Sequence, residues 1–144
     1  MPTLSPRLAE IVDALPLRPG MRVIEFGCGP GAAAREVADR VGPSGHVLAV
    51  DRSATAIGQV RRQAARLIEE GRLSVRVAEV ETFVLDADDE PYDLAFAVRV
   101  GLLDGRHPAR RDEALARIAA SLVPGGRLLV DGGDPLVDVP LREA

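Results

Sequence analysis

Seven consecutive residues, Glu25-Phe26-Gly27-Cys28-Gly29-Pro30-Gly31, concentrate the chemistry available to this chain. Glycines directly after a short β-prone run, residues 21–26, let the backbone take positive φ and approach a ligand with no side chain in the way. Asp51 closes the next apolar run, 24 positions beyond Gly27. A carboxylate at that strand end can accept hydrogen bonds from both hydroxyls of a ribose. Glu25, two residues before Gly27, adds a second carboxylate that repels a pyrophosphate but accommodates an ammonium or sulfonium. A nucleoside-containing cofactor follows from this arrangement. Gly27, Gly29 and Ala32 also satisfy the looser G-x-G-x-x-A dinucleotide pattern, so an NAD(P)-dependent reductase is a further alternative. Glu25 and Gly31 disfavour it, because they tighten the pattern to E-x-G-x-G-x-G.

Other chemistries are excluded by composition. Every basic residue is Arg; without Lys there is neither a Schiff base nor the Lys of a Walker-type phosphate loop. One cysteine, Cys28, rules out an internal disulfide and a Cys-rich zinc site, and Cys28 reads as a small packing residue rather than a nucleophile. With only His46 and His107 beside it, no protein-held metal is expected. The net charge of −4 disfavours a general nucleic-acid coat or a basic membrane-surface binder. Arg61, Arg62, Arg66, Arg72 and Arg76 are interleaved with Glu69 and Glu70 and read as a solvated surface. No apolar run approaches the roughly 20 residues of a membrane span, and the first residues lack a signal-peptide pattern. The expected setting is reduced and cytoplasmic.

Alternating strands and helices are expected to position these groups. A helix capped by Ser5 carries Leu8, Ile11, Val12 and Leu15 on one face. A second, from about residue 30 to 41, presents Ala34, Val37, Ala38 and Val41. A third, from about 53 to 70, presents Ile57, Val60, Ala64, Leu67 and Ile68, and a fourth presents Leu115, Ile118, Ala119 and Leu122. Residues 21–26, 46–51, 73–78, 92–98 and 127–131 read as strands, most nearly continuous in apolar residues. Residues 79–91 read as an acidic, solvated loop, and Pro124-Gly125-Gly126 as the turn into the fifth strand. Hydrophobic residues are 47% but aromatics only 3%, so the core must be built of Ala, Val, Leu and Ile. The length and pattern predict one domain over 1–144: a doubly wound, mainly parallel Rossmann-like sheet with helices on both faces.

In three segments the chain resembles a class I S-adenosylmethionine-dependent methyltransferase, over about residues 5–131. Residues 23–31 match the family's first motif, Val50-Asp51-Arg52-Ser53 the acidic end of its second strand, and residues 122–128 the turn into its fifth. The resemblance implies S-adenosyl-L-methionine as cofactor and a small-molecule methyl acceptor. Glu25 would receive the methionine ammonium together with the carbonyl of Ala97, and the backbone of Gly27, Cys28, Gly29 and Gly31 would lie against the cofactor. Asp51 would hold the ribose hydroxyls, Arg52 flank the adenine, and Glu79 with Val80 read the adenine amino edge, with Glu81 the alternative to Glu79. Candidates for acceptor chemistry after the fourth strand are Arg99, Asp104 and His107; Arg99 would face an acidic substrate or pair with Asp131. Val98-Arg99-Val100-Gly101 lacks the Asn/Asp-Pro-Pro-aromatic signature of members acting on amino groups of DNA or protein. A binding protein, an accessory subunit or sensor without catalysis, is the alternative function. The family's sheet continues in an antiparallel strand pair, whereas residues 135–141 offer one short strand at most. Strand five is therefore expected at or near a bare edge, with that edge or the tail covered by another subunit in a homodimer or other oligomer.

Overall fold

The computed structural model describes residues 4–104 and 108–141, with the side chains of Leu102 and Asp104 outside the description. Helix α1 (Pro6–Ala14) starts where the Ser5 hydroxyl accepts the Leu8 N–H at 3.2 Å, and it buries Ile11 and Val12. Strand β1 (Arg22–Phe26) runs into the glycine turn, and helix α2 (Ala32–Val41) leaves it with half of its ten residues buried. Strand β2 (His46–Asp51) follows, then α3 (Ala54–Gln63) and α4 (Ala65–Glu69). One continuous helix was expected there. Instead the backbone of Ala64 leaves helical geometry (φ −110°, ψ 22°), which keeps Ala64 itself in the core.

Strand β3 (Leu73–Val77) leads to a short 3-10 turn at Val80–Thr82 within the expected loop, and strand β4 (Tyr92–Ala97) to another at Gly101–Asp104. Helix α5 (Pro108–Ala120) buries Ala114 and Ile118. Leu122, expected on that helix, instead opens strand β5 (Leu122–Asp131). Pro124-Gly125-Gly126 is accordingly a bulge inside a strand rather than a turn before one. Tyr92 pairs with Leu122, and the ladder resumes two residues later on β4 but five later on β5, at Leu94 with Arg127.

The sheet order is β3-β2-β1-β4-β5-β6, all parallel except β6 (Leu136–Val139), which runs antiparallel to β5. The edge of β5 is thus covered by the chain's own tail, and β6 is the outermost strand. It is only four residues long and bounded by Pro135 and Pro140, a short edge of the kind that limits unwanted strand pairing.

Two apolar clusters sandwich the sheet. Val23 of β1 packs with α1, α2 and α3 on one face, while Ile24 and Phe26 pack with Phe83, Ala114 and Ile118 on the other. Strand alternation places Glu25 on the α2 and α3 face with Val23. The chain reverses its direction of strand addition between β1 and β4, which opens a crevice at their carboxyl ends. Among the described residues no helix is long and apolar enough to cross a membrane.

Candidate functional site

The glycine turn is bound to the neighbouring strand. The N–H groups of Gly27 and Cys28 both donate to the Val50 carbonyl, at 2.8 and 3.0 Å. Gly27, Gly29 and Gly31 all have positive φ (74°, 54° and 90°), but different neighbours constrain them. A Cβ on Gly27 would lie 2.5 Å from the Val100 side chain, and one on Gly31 would lie 2.9 Å from Val60. A Cβ on Gly29 would meet nothing within 4 Å. Its side of the turn is open, a cradle that a side chain would fill and a ligand can occupy.

Asp51 is oriented by the same backbone. One carboxylate oxygen accepts the Gly29 N–H at 2.9 Å and the other the Ser53 N–H at 2.8 Å. A carboxylate has about four acceptor positions, so two remain for a ligand. Ser53 in turn caps α3 by accepting the Ala56 N–H.

Among the described residues two carboxyls have a buried oxygen with no hydrogen-bond partner, Glu25 and Glu81, and Glu25 is the more deeply buried. Glu25 is 2% exposed, and its Oε1 is the unpartnered atom. Burial pushes its carboxyl well above the usual range, the Asp51 charge adds to the shift, and a hydrogen bond from the Ala34 backbone opposes it. A buried carboxyl with one oxygen unsatisfied is costly unless something binds there. The Cys28 thiol is pushed up by burial, then by the charges of Glu25 and Asp51, and donates to the Gly29 carbonyl at 3.3 Å. It remains protonated and is no nucleophile.

Beside the turn opens a cavity of about 400 Å³. Of the sequence candidates, its wall brings together Gly27, Asp51, Arg52, Glu79, Val80 and Arg99, with Glu81 among them. Glu25 and Ala97 lie at the ends of β1 and β4 behind that wall, where Phe26 pairs with Ala97. Cys28, Gly29 and Gly31 are likewise outside it. Glu79 is exposed, whereas Glu81 is 13% exposed and accepts from the Arg110 guanidinium at 2.7 and 2.9 Å. Its own backbone N–H and then Arg110 hold the Glu81 carboxyl below the usual range. Arg99 follows β4 with a left-handed backbone (φ 59°), and its N–H, not its guanidinium, takes Asp131 at 2.9 Å. Asp104 lies in the 3-10 turn with its side chain outside the described residues, and His107 lies outside them altogether.

The wall also includes Ala78, Val100, Gly101 and Arg110, which sequence reasoning missed. Arg110 begins α5 in a run of arginines with no distinguishing pattern, and only the fold brings it to Glu81, 29 residues earlier.

Residues 23–126 match the family model of a methyltransferase domain. A ubiquinone/menaquinone biosynthesis C-methyltransferase of Bordetella parapertussis is 38% identical over 115 residues, covering 79% of this chain and 41% of that protein. The nocamycin O-methyltransferase of Saccharothrix syringae is 34% identical over 139 residues, covering 95% and 45%. The chain thus spans about two fifths of the length of these curated relatives. In fold it resembles the phosphoethanolamine N-methyltransferase 1 of Haemonchus contortus, solved with phosphoethanolamine and S-adenosylhomocysteine. That TM-score is 0.70 at 19% identity, over 90% of this chain and 26% of that one.

Proposed function

We propose a function from the premise that the chain belongs to the class I S-adenosylmethionine-dependent methyltransferases: it methylates a small-molecule acceptor at oxygen, nitrogen or carbon. Its cofactor is S-adenosyl-L-methionine. The observation that carries the reading is Glu25, a buried carboxyl with an unpartnered oxygen beside an open glycine turn. A cationic group there would supply the missing partner and favour the ionised carboxylate.

The residues fit the cofactor in parts. Glu25 and the Ala97 carbonyl would take the methionine ammonium, and the open face at Gly29 would receive the chain between sulfur and ribose. Asp51, already aligned by two backbone N–H groups, would accept the ribose hydroxyls. Arg52, Val80 and Glu79 would line the adenine, with Glu81 the alternative to Glu79 for its amino edge: Arg110 takes only Oε2 of Glu81 and leaves its buried Oε1 without a partner. When bound, the cofactor supplies an electrophilic methyl on a positively charged sulfur. The chain's part is to align the acceptor with that methyl and to exclude water, for which Val100, packed against Gly27, forms a wall.

A base is worth roughly 10²–10⁴-fold when a hydroxyl is the acceptor. Among the described lining residues, Asp51 is held by N–H groups, Glu81 Oε2 by Arg110, and the exposed Glu79 is assigned to the adenine. That distribution is what favours the second reading, a cofactor-binding protein without turnover. Transfer of labelled methyl from S-adenosylmethionine into a metabolite pool tests the proposal. Label recovered in a small molecule supports the enzyme; cofactor binding with no transfer leaves the binding protein.

A further inference from the structure

We propose that Arg99 binds an anionic group of the methyl acceptor, so that the acceptor carries a carboxylate or phosphate; this rests on the methyltransferase reading above. Arg99 is the first residue beyond the apolar end of β4 and its neighbour Val98, at the crevice where the sheet reverses, and it lines the same cavity as Asp51 and Arg52. Its backbone is left-handed, a conformation that a long side chain adopts only when its surroundings impose it. Asp131, at the end of β5, imposes it by accepting the Arg99 N–H. The peptide is thereby fixed while the Asp131 contact goes to the backbone, and the side chain is left exposed on the cavity wall.

Charge balance then selects the occupant. The cavity's other two arginines are accounted for: Arg110 by Glu81, and Arg52 by its place next to Asp51 on the adenosine side. A sulfonium and the Arg99 guanidinium in one half-enclosed space repel each other unless negative charge lies with them. Glu25, Asp51 and Glu79 are directed to the ammonium, the ribose and the adenine, so apart from the cofactor's own carboxylate, which the test below separates, the acceptor is the source of negative charge for Arg99. A planar guanidinium presents a donor fork that matches a carboxylate or phosphate.

The test uses the protein saturated with S-adenosylhomocysteine and three probes followed by ligand-observed NMR: benzoate, phenyl phosphate and the neutral benzamide. Benzoate or phenyl phosphate is expected to bind at least about tenfold more tightly than benzamide, and the stronger of the two identifies the anion. Arg99→Gln should bring both down to the benzamide level, and Arg99→Lys should restore part of the difference. S-adenosylhomocysteine affinity should stay within about twofold in both variants, which also reports that they are folded. Arg127→Gln, at an exposed ion pair with Asp138 whose residues do not line the cavity, should change nothing. Anions that bind no better than benzamide, or binding indifferent to Arg99→Gln, overturn the proposal. So does a tenfold loss of S-adenosylhomocysteine affinity in Arg99→Gln, which would assign the guanidinium to the cofactor's own carboxylate. A wild-type protein that binds no S-adenosylhomocysteine removes the methyltransferase premise instead.

Discussion

Replacing Glu25 by Gln keeps the side chain's volume and removes its charge, and the two consequences have opposite sign. In the free protein the carboxyl is buried with one oxygen unpartnered and its pKa is raised, first by burial and then by Asp51. A carboxyl whose folded pKa exceeds its unfolded value binds more protons folded than unfolded between the two. Stability therefore falls as pH rises from about 4.5 through the folded value. Glu25→Gln removes that loss, so its melting temperature should gain on the wild type between pH 5 and pH 8. With cofactor the sign reverses. Losing a charge-assisted hydrogen bond to an ammonium costs about 1.5–3 kcal/mol, or roughly 10–150-fold in Kd. Calorimetric titration with S-adenosylhomocysteine measures this directly, and methylthioadenosine, which lacks the amino-acid end, provides the control. S-adenosylhomocysteine should weaken by that factor and methylthioadenosine stay within about twofold. Equal weakening of both ligands, or of neither, would refute the assignment of Glu25 to the ammonium.

The glycines should separate in the same assay. Gly29→Ala meets no protein atom and should cost only the left-handed strain of about 1–2 kcal/mol, seen in denaturant titration, yet abolish cofactor binding. Gly31→Ala meets Val60 at 2.9 Å and should cost a further 1–3 kcal/mol or so, partly recovered by adding Val60→Ala. His46, at the opposite end of the sheet, donates from Nδ1 to the Gly71 carbonyl and accepts the Ser74 hydroxyl at Nε2, both at 2.8 Å. Burial first, then Arg22, lower its pKa, while Gly71 and Asp89 oppose the shift. Its stabilisation should be present above about pH 6.5 and fade as pH falls through its folded value, and His46→Asn should flatten that slope in denaturant midpoints. If the outer edge of β6 is covered by a second copy, sedimentation should give twice 15.3 kDa; a monomer removes that expectation.

Local features were the legible ones. The turn from Gly27 to Gly31 and the strand end at Asp51 are each written in consecutive residues, and the alternation of strands and helices is enough to bring them together. What escaped depends on contacts between distant segments. The break at Ala64 has no glycine or proline to mark it, because it arises from packing Ala64 inward between α3 and α4. Pro124-Gly125-Gly126 has turn chemistry, but pairing of Leu122 with Tyr92 before it makes the segment a bulge. Why Gly27 and Gly31 must be glycine is decided by Val100 and Val60. The Glu81–Arg110 pair joins a 3-10 turn to a helix beyond β4.

The central claim is that two strand-end carboxylates and an open glycine turn form a site for an adenosyl sulfonium compound. The most direct measurement is calorimetric titration of the wild-type chain with S-adenosylmethionine and, separately, with NAD and NADP. Saturable one-to-one binding of S-adenosylmethionine, with no heat from either dinucleotide, is the predicted result. No heat with S-adenosylmethionine, or tighter binding of a dinucleotide, would contradict it.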